Sequence, residues 1–218
     1  MILYGSSMSP YVRKVLAFAA EKGIALDTKP TRIGELDPEF RAASPFGKMP
    51  AFVDGDYRLA DSSAIVHYLE AKQPDPEMIP ADPRGRGRVI WYDEFADTVL
   101  MACLQKMFFN RVVAPLFLQR PGNPDAAAAA EKDELPPLLA YLESVVPEDT
   151  GFLVGDRLTL ADLAVASPLA NLRHMDVAIN TDAYPRTAAY VERILARPSF
   201  ADWIAREERS LQRVRSAA

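Results

Sequence analysis

Apolar positions at the start of the chain predict a strand that leads directly into a helix. The strand is a short apolar run that begins at Ile2, and the segment from Ser6 to Pro10 follows it. Ser9 is a residue type favoured at helix N-caps, and Pro10 then stands at the first helical position, where its missing N–H costs nothing. The Ser9 oxygen is expected to accept a bond from the first turn, while free N–H groups and the helix dipole favour an anion beside it. An ordinary Ser-Pro cap accounts for the same residues.

A hairpin and a second helix are predicted further along this half. Asp54-Gly55 separates two apolar runs, which is the strongest short-range signal for a β-hairpin. Asp61 and Ser62 then precede apolar residues at helical spacing, so a second helix N-terminus able to bind an anion begins there. These apolar residues are Ile65, Tyr68 and Leu69.

The order of these elements predicts the fold of the first half. Residues 26–29 supply a further strand, and residues 38–43 supply a short helical or irregular connection. The resulting order is strand, helix, strand, connection, strand, strand, helix. This βαβ plus ββα order is that of a thioredoxin-like domain, and it covers residues 1 to about 72.

The second half of the chain is predicted to be helical almost throughout. Four prolines within residues 73–83 preclude a helix or a central strand, so this segment is a stiff linker. Long apolar-patterned stretches follow at 84–118 and 125–142, and a further helix begins with a variant capping box of Thr159 and Asp162.

The predicted fold class is therefore α/β followed by all-α. The thioredoxin-like domain covers residues 1–76, and the all-helical domain covers residues 84–218.

Composition excludes several classes of function. The net charge of −5 argues against a general nucleic-acid surface and against binding to an anionic membrane. No uninterrupted run approaches the ~20 apolar residues of a membrane span, and no leader-like segment precedes the first strand, so the cytoplasm is expected. Cys103 is the only cysteine, which excludes an intrachain disulfide and a cysteine-based metal site. His67 and His174 lack a second ligand-like neighbour, and we expect both to be structural.

Three motifs of the first half stand in an order that resembles a known family. They are Ser-Pro-Tyr-Val-Arg-Lys-Val at 9–15, Lys-Met-Pro-Ala-Phe-Val-Asp at 48–54 and Ala-Asp-Ser-Ser-Ala-Ile-Val-His-Tyr-Leu at 60–69. Together they are similar to the cytosolic glutathione transferases, most closely to the serine-using tau, zeta and theta-like bacterial branches. The helical half adds Gly-Asp-Arg-Leu-Thr-Leu-Ala-Asp at 155–162, Tyr-Pro at 184–185 and Arg-Pro-Ser-Phe at 197–200.

The resemblance implies glutathione as a cosubstrate and no metal. The chain has no cysteine where thioredoxin-like redox domains place theirs, so the reacting sulfur must come from the cosubstrate. By resemblance Ser9 donates a hydrogen bond to that sulfur and stabilises the thiolate, with Ser6 and Ser7 as competing hydroxyls. Tyr11 and Arg13 are expected near it.

Further roles follow from the same resemblance. Met49-Pro50 resembles the cis-proline turn that pairs with the cysteinyl part of glutathione. Asp61 and Ser62 resemble the residues that bind the γ-glutamyl group, a role compatible with capping a helix. Lys48 pairs with the glycyl carboxylate or is a solvated surface residue.

The acceptor site is expected between the first helix and the long helix after the linker. Its candidate lining residues are Tyr11, Met101, Gln105, Phe108 and Val112. A Met and Phe stripe at helical spacing is also typical of a core or of a dimer interface. The expected partners are a small hydrophobic electrophile and a second copy of the chain, with no nucleic acid and no membrane.

The function implied by the resemblance is transfer of glutathione to an electrophilic carbon, or reduction of a hydroperoxide. One alternative is a specialised glutathione-dependent isomerase, dehalogenase or ether-cleaving enzyme. Another is a non-catalytic member that keeps the fold as a protein-binding module.

Overall fold

A mixed four-stranded sheet forms the first half of the protein. The computed structural model describes residues 1–32, 34, 37–148 and 150–217. The strands are β1 (Ile2–Tyr4), β2 (Asp27–Lys29), β3 (Ala51–Asp54) and β4 (Tyr57–Ala60). Their order across the sheet is β2-β1-β3-β4, with β1 parallel to β2 and antiparallel to β3, and β3 antiparallel to β4.

Three helices complete this half, namely α1 (Pro10–Glu21), α2 (Pro38–Ala43) and α3 (Ser62–Lys72). The βαβ and ββα units predicted from the sequence are confirmed, including the hairpin at Asp54-Gly55, and the connection at 38–43, predicted as helical or irregular, is a helix. Apolar residues of α1 and α3 pack with Leu3 and Phe52 of the sheet, because their helical spacing places them on one face.

Helices make up the second half. They are α4 (Pro83–Phe117), α5 (Pro124–Ala129, Ala130–Glu134 and Leu135–Val145 in succession), α6 (Leu160–His174), α7 (Pro185–Leu195) and α8 (Pro198–Ala217). A thioredoxin-like domain followed by a helical domain is therefore the fold, as predicted. The exact domain bounds of 1–76 and 84–218 stay a prediction, and Asp149 and Ala218 lie outside the described residues.

By length and composition alone, helix α4 could cross a membrane. It is the one helix among the described residues that meets this test. The sequence contains no uninterrupted apolar run long enough to span a membrane, so α4 was not expected to pass such a test. It passes because the test averages over the helix, in which polar residues occupy exposed positions between the apolar ones. Its Val89, Leu100, Leu104 and Met107 are buried in the hydrophobic core of this fold. A helix at the centre of a protein core passes the same test, so the finding does not by itself indicate a membrane.

The start of α6 is held by a buried carboxylate. Asp162 accepts the Thr159 N–H at 2.9 Å and the Leu153 N–H at 2.9 Å, and the Tyr190 hydroxyl donates to it at 2.6 Å. The Thr159 hydroxyl also donates to Asp162, at 3.1 Å. These bonds satisfy backbone groups at a buried helix end, which is a folding role.

Helix α1 lies between the two halves and carries two buried cations, and a third, Lys22, directly follows its last residue. Arg13, Lys14 and Lys22 are each at most 2% exposed. Each one pairs with a carboxylate, because an unpaired charge in a protein interior costs several kcal/mol. The carboxylates belong to Glu207 for Arg13, to Asp93 and Asp97 for Lys14, and to Glu70 for Lys22.

Candidate active site

The candidate site is built at one edge of the sheet. Tyr4 at the end of β1 pairs with Ala51 at the start of β3, and Ala51 pairs with Ala60 at the end of β4. The turn before α1, the Met49-Pro50 peptide and the start of α3 adjoin these paired residues and therefore lie side by side. The fold thus brings together the three segments that the sequence motifs single out.

Ser9 is the N-cap of α1, but its side chain makes no capping hydrogen bond. The expectation that its oxygen would accept from the first turn is wrong. The Ser9 N–H donates to the Ser6 carbonyl at 2.9 Å, and the Arg13 N–H donates to the Ser9 carbonyl at 2.9 Å. The partly exposed Ser9 hydroxyl is left free for a ligand.

The first turn of α1 also offers backbone donors. Pro10 has no N–H, and the N–H groups of Tyr11 and Val12 have no acceptor among the residues that the structure describes. These donors and the positive end of the helix dipole make the start of α1 favourable for an anion.

Gly5 allows β1 to run directly into this turn. Its φ of +144° is a conformation that residues with a Cβ rarely adopt. A Cβ on Gly5 would lie 2.5 Å from Val12 Cγ2 and 3.4 Å from Met49 Cβ. The end of β1, the first turn of α1 and the residue before Pro50 are therefore packed at van der Waals distance.

The Met49-Pro50 peptide bond is cis, as the resemblance implied. The turn before it is tied by the Ser44 hydroxyl, which donates to the Lys48 carbonyl at 2.6 Å. Pro50 is buried, Met49 is partly buried, and the Lys48 side chain is exposed beside them. The backbone of Met49 is thus presented at the same edge as Ser9.

Asp61 caps the start of α3. Its carboxylate accepts the N–H groups of Ser63 at 2.9 Å and Ala64 at 3.0 Å, and its φ of +82° turns the chain sharply from β4 into the helix. The Ser62 N–H has no acceptor in the described part of the chain. A ligand carboxylate at this helix end would therefore meet the backbone of Ser62 first.

A polar network from α1 and α4 lies directly behind Ser62. The Ser62 hydroxyl donates to Asp97 Oδ2 at 3.2 Å, and Lys14 Nζ donates to the same oxygen at 2.6 Å. The Ser63 hydroxyl donates to Asp93 at 2.7 Å, and Lys14 also donates to Asp93 at 2.6 Å. Sequence reasoning missed this network, although the i, i+4 spacing of the two acids places them on one face of α4.

Two titratable groups are perturbed at this place. Burial raises the pKa of Asp97, Lys14 opposes the rise and the neighbouring Asp93 adds to it. Burial and the charges of Asp97 and Asp61 raise the pKa of Tyr11. The Tyr11 hydroxyl donates to the Asp97 carbonyl at 3.1 Å, so it is already used and stays protonated at neutral pH.

The residues expected to line the acceptor site occupy different environments. Met101, Phe108 and Val112 are buried in the core, and Gln105 is exposed. The Phe108 ring lies 6.4 Å from the His174 ring. The acceptor site built from these residues and Tyr11 stays a prediction.

Two further expectations concern residues near Ser9. Arg13, expected near Ser9, is fully buried; it donates to the Ser7 carbonyl at 3.2 Å and binds the helical half through the rest of its guanidinium. Ser6 and Ser7 help to line a cavity of about 120 Å³ that Trp203 also borders. This cavity is smaller than the roughly 300–1,000 Å³ of small-molecule pockets, and Ser9 is not among its lining residues.

Comparisons with known proteins identify the family of this chain. Family models described as "Glutathione S-transferase, N-terminal domain" and "Glutathione S-transferase, C-terminal domain" match residues 3–77 and 108–207. Glutathione S-transferase theta-3 of Mus musculus is 30% identical over 89% of this chain and 81% of its own length. The stringent starvation protein A homolog of Coxiella burnetii is 27% identical over 98% of this chain and 96% of its own length.

Solved structures give the same assignment. The structure of glutathione S-transferase-I bound with the ligand lactoylglutathione superposes with a TM-score of 0.82 and 27% identity, covering 94% of this chain and 98% of that chain. The match therefore includes both the sheet and the helices. The chain belongs to the glutathione S-transferase family.

Proposed function

We propose that this protein is a glutathione transferase that stabilises the glutathione thiolate at the start of α1. The Ser9 hydroxyl donates to the sulfur, and the N–H groups of Tyr11 and Val12 contribute their dipoles. The observation that carries the proposal is the meeting of two helix N-termini and the Met49 backbone at one sheet edge.

Each part of the tripeptide then has a partner of matching chemistry. The cysteinyl amide pairs with the N–H and C=O of Met49, as an added strand would. The γ-glutamyl carboxylate accepts from the N–H and hydroxyl of Ser62, and the ammonium lies near Asp61. Lys48 is placed to reach the glycyl carboxylate.

The chemical step needs only the thiolate and an electrophile. The thiol proton passes to solvent, and the sulfur lone pair forms a bond to an electrophilic carbon while the leaving group departs with its bonding electrons. The partly buried Tyr11 hydroxyl already donates to the Asp97 carbonyl and is not free to activate the sulfur, so that role falls to Ser9. We propose small hydrophobic electrophiles or hydroperoxides as acceptors, which is a detoxification chemistry. With a hydroperoxide the sulfur takes the terminal oxygen, the O–O bond breaks and an alcohol leaves, and a second glutathione then converts the glutathione sulfenic acid into the disulfide and water.

Calorimetry with glutathione and an acceptor screen test the proposal together. We expect glutathione to bind at millimolar concentration or below, and turnover with at least one chloro-aromatic, epoxide or hydroperoxide acceptor. Absence of binding at millimolar glutathione would contradict the proposal. Binding without turnover of any acceptor favours the specialised enzymes or the non-catalytic module.

We further propose that the protein is a homodimer in the cytoplasm. Phe46, Trp91 and Val99 are 87%, 45% and 49% exposed, and large apolar side chains at this exposure are candidates for an interface. The dimer would cover them. The packing of α4 in the core and the single buried cysteine support an intracellular compartment.

A further inference from the structure

The guanidinium of Arg13 is fully buried and binds three separate parts of the chain. It donates to the Ser7 carbonyl at 3.2 Å, in the turn before α1. It also donates to the Ser167 carbonyl at 2.7 Å and to Asn171 Oδ1 at 2.5 Å, both on α6, and to Glu207 Oε2 of α8 at 2.5 Å. One side chain of the thioredoxin-like half is thus fixed by two helices of the other half.

A second bond from α6 reaches the first residue of α1. The Ser167 hydroxyl donates to the Pro10 carbonyl at 2.7 Å, and Ser167 is fully buried. Ser7 and Pro10 stand on either side of Ser9 in the chain. Carbonyl groups both before and after Ser9 are therefore held from α6, one through Arg13 and one directly.

These two contacts restrict how the backbone at Ser9 can rotate. Peptide groups are planar, so fixing the carbonyls of Ser7 and Pro10 limits the orientation of the backbone between them. The Ser9 side chain has no hydrogen bond of its own to fix its position. The direction of its hydroxyl therefore depends on contacts made by residues of the helical half.

We propose that Arg13 and Ser167 are positioning residues that set the direction of the Ser9 hydroxyl and thereby the acidity of the bound thiol. This inference rests on the proposed function of Ser9. Neither residue touches the sulfur, and Glu207 serves to hold Arg13 in place. The helical half thus takes part in thiol activation through contacts remote from the sulfur.

A purely structural role is the competing explanation, and the chain offers a matched control for it. Lys22 at the other end of α1 is also buried and donates to Glu70 at 2.6 Å. Glu70→Gln weakens a buried ion pair of the same helix without touching the turn before α1. It should lower stability while leaving thiol acidity unchanged.

The decisive variant is Ser167→Ala, which removes one hydroxyl and keeps the buried charges paired. We expect the pKa of bound glutathione, followed by thiolate absorbance against pH, to rise by about 0.5 to 1, since lost stabilisation of the charged form shifts a pKa by this order. Arg13→Lys should act in the same direction. Glu70→Gln should leave the titration where it is in the wild type.

A double variant shows whether Ser167 changes thiol acidity through the Ser9 hydroxyl or by a route independent of it. In a Ser9→Ala background, Ser167→Ala should cause no further rise of the thiol pKa, because no hydroxyl remains to be positioned. An equal rise in both backgrounds would overturn the proposal. So would an unchanged pKa in Ser167→Ala, and this variant decides the question if Arg13→Lys does not fold.

Amide hydrogen exchange provides a measurement that does not need glutathione. Loss of the Pro10 contact should speed exchange of the Ser9 amide in Ser167→Ala by several-fold relative to Glu70→Gln, because the turn is less restrained. Unchanged exchange would contradict positioning even if glutathione did not bind. Absence of glutathione binding in the wild type, with faster exchange in Ser167→Ala, would contradict only the proposed function.

Discussion

At the scale of single residues, the hydroxyl groups of the turn before α1 are not equivalent. Ser6 Oγ accepts the Met8 N–H at 3.4 Å, whereas the Ser9 hydroxyl makes no capping bond. Ser9 also directly precedes Pro10 and the two free N–H groups of the first turn. Its hydrogen is thus the one best placed to meet an anion at the end of the helix dipole.

We expect Ser9→Ala to raise the pKa of bound glutathione by about one unit or more, since a charge-assisted hydrogen bond is worth at least ~1.4 kcal/mol. Glutathione affinity should change little, because residues other than Ser9 are proposed to bind most of the tripeptide. Thiolate absorbance against pH measures the effect. Ser6→Ala and Ser7→Ala are the controls, and a shift in either one without a shift in Ser9→Ala would assign the role to the other serine.

Ser62 should contribute to affinity rather than to thiol acidity. Its hydroxyl donates to Asp97 in the free protein and is expected to turn toward the γ-glutamyl carboxylate when glutathione binds. Ser62→Ala should weaken binding by about 1–3 kcal/mol, the range for a ligand charge left short of one hydrogen bond. Calorimetry measures this loss.

Ser63→Ala is the matched control for this prediction. The Ser63 hydroxyl donates to Asp93 at 2.7 Å and points into the network behind the site. We expect its removal to change affinity much less. Equal losses in both variants would mean that the network, and not a direct contact of Ser62, supports the ligand.

At the scale of elements, the junction of β1 and α1 depends on the absence of a side chain at Gly5. Gly5→Ala should destabilise the fold by at least ~1–3 kcal/mol, the cost of a strained backbone conformation, because the new Cβ would also meet Val12. Gly87→Ala is the control, since Gly87 lies in α4 with nothing near its Cβ position. That change should stabilise by roughly 0.5–1 kcal/mol. Thermal unfolding measures both variants. A Gly5→Ala variant as stable as the wild type would refute this account of the junction.

The elements themselves could be predicted because their signals are local. The Asp54-Gly55 turn, the Ser-Pro start of α1 and the proline-rich linker each act within a few residues. The buried cations could not be predicted in this way. Arg13 and Lys14 look like exposed helix positions in sequence, and their partners lie 194 and 79 residues further along the chain.

The same distinction explains what was missed in the candidate site. Ser9 and Ser62 stand at helix starts, so the free backbone donors beside them follow from sequence, whereas the role of the Met49 backbone is implied only by the family resemblance. The missing Ser9 cap did not follow, because residue type and position favour such a bond and only the folded structure shows that the side chain does not make it. The role of Asp97 likewise required the packing of α4 against α3.

At the scale of the whole molecule, one ion pair ties α1 to the start of α8. Arg197 donates to both oxygens of Glu21 at 2.8 Å, and the Ser199 hydroxyl donates at 2.5 Å. Burial raises the pKa of Glu21, but the bonds from Arg197 and Ser199 outweigh it, so the pKa lies below its usual value. The pair therefore stabilises the fold at neutral pH.

We expect this stabilisation to be lost as the pH falls below about 4.5, through the lowered pKa of folded Glu21. Glu21→Gln should reduce stability at pH 7 and make the further loss on acidification smaller. Denaturant unfolding at several pH values measures the slope. Glu192→Gln removes an exposed pair with Arg173 and should change little, and an acid slope identical to wild type in Glu21→Gln would contradict the assignment.

The proposed dimer can be tested at Phe46, the most exposed large apolar side chain of the described residues. Phe46→Ser should shift the protein toward monomer, because an exposed aromatic gains most of its binding free energy from burial in a partner. Sedimentation velocity over a range of concentrations measures this. Phe117, at the far end of α4, is exposed to a similar extent as Trp91, and Phe117→Ser tests whether the interface extends to it. Identical association in wild type and Phe46→Ser would place the interface elsewhere.

The two buried cations of α1 also limit which halves of related proteins can be joined in one chain. Arg13 and Lys14 draw their carboxylates from α8 and α4, which belong to the other half of the chain. A chimaera that joins this first half to a helical half without those acids would bury two cations with no counterion, each destabilising by several kcal/mol. Domain exchange between relatives is therefore restricted to halves whose charges match at these positions, and mutations on one side favour compensating mutations on the other.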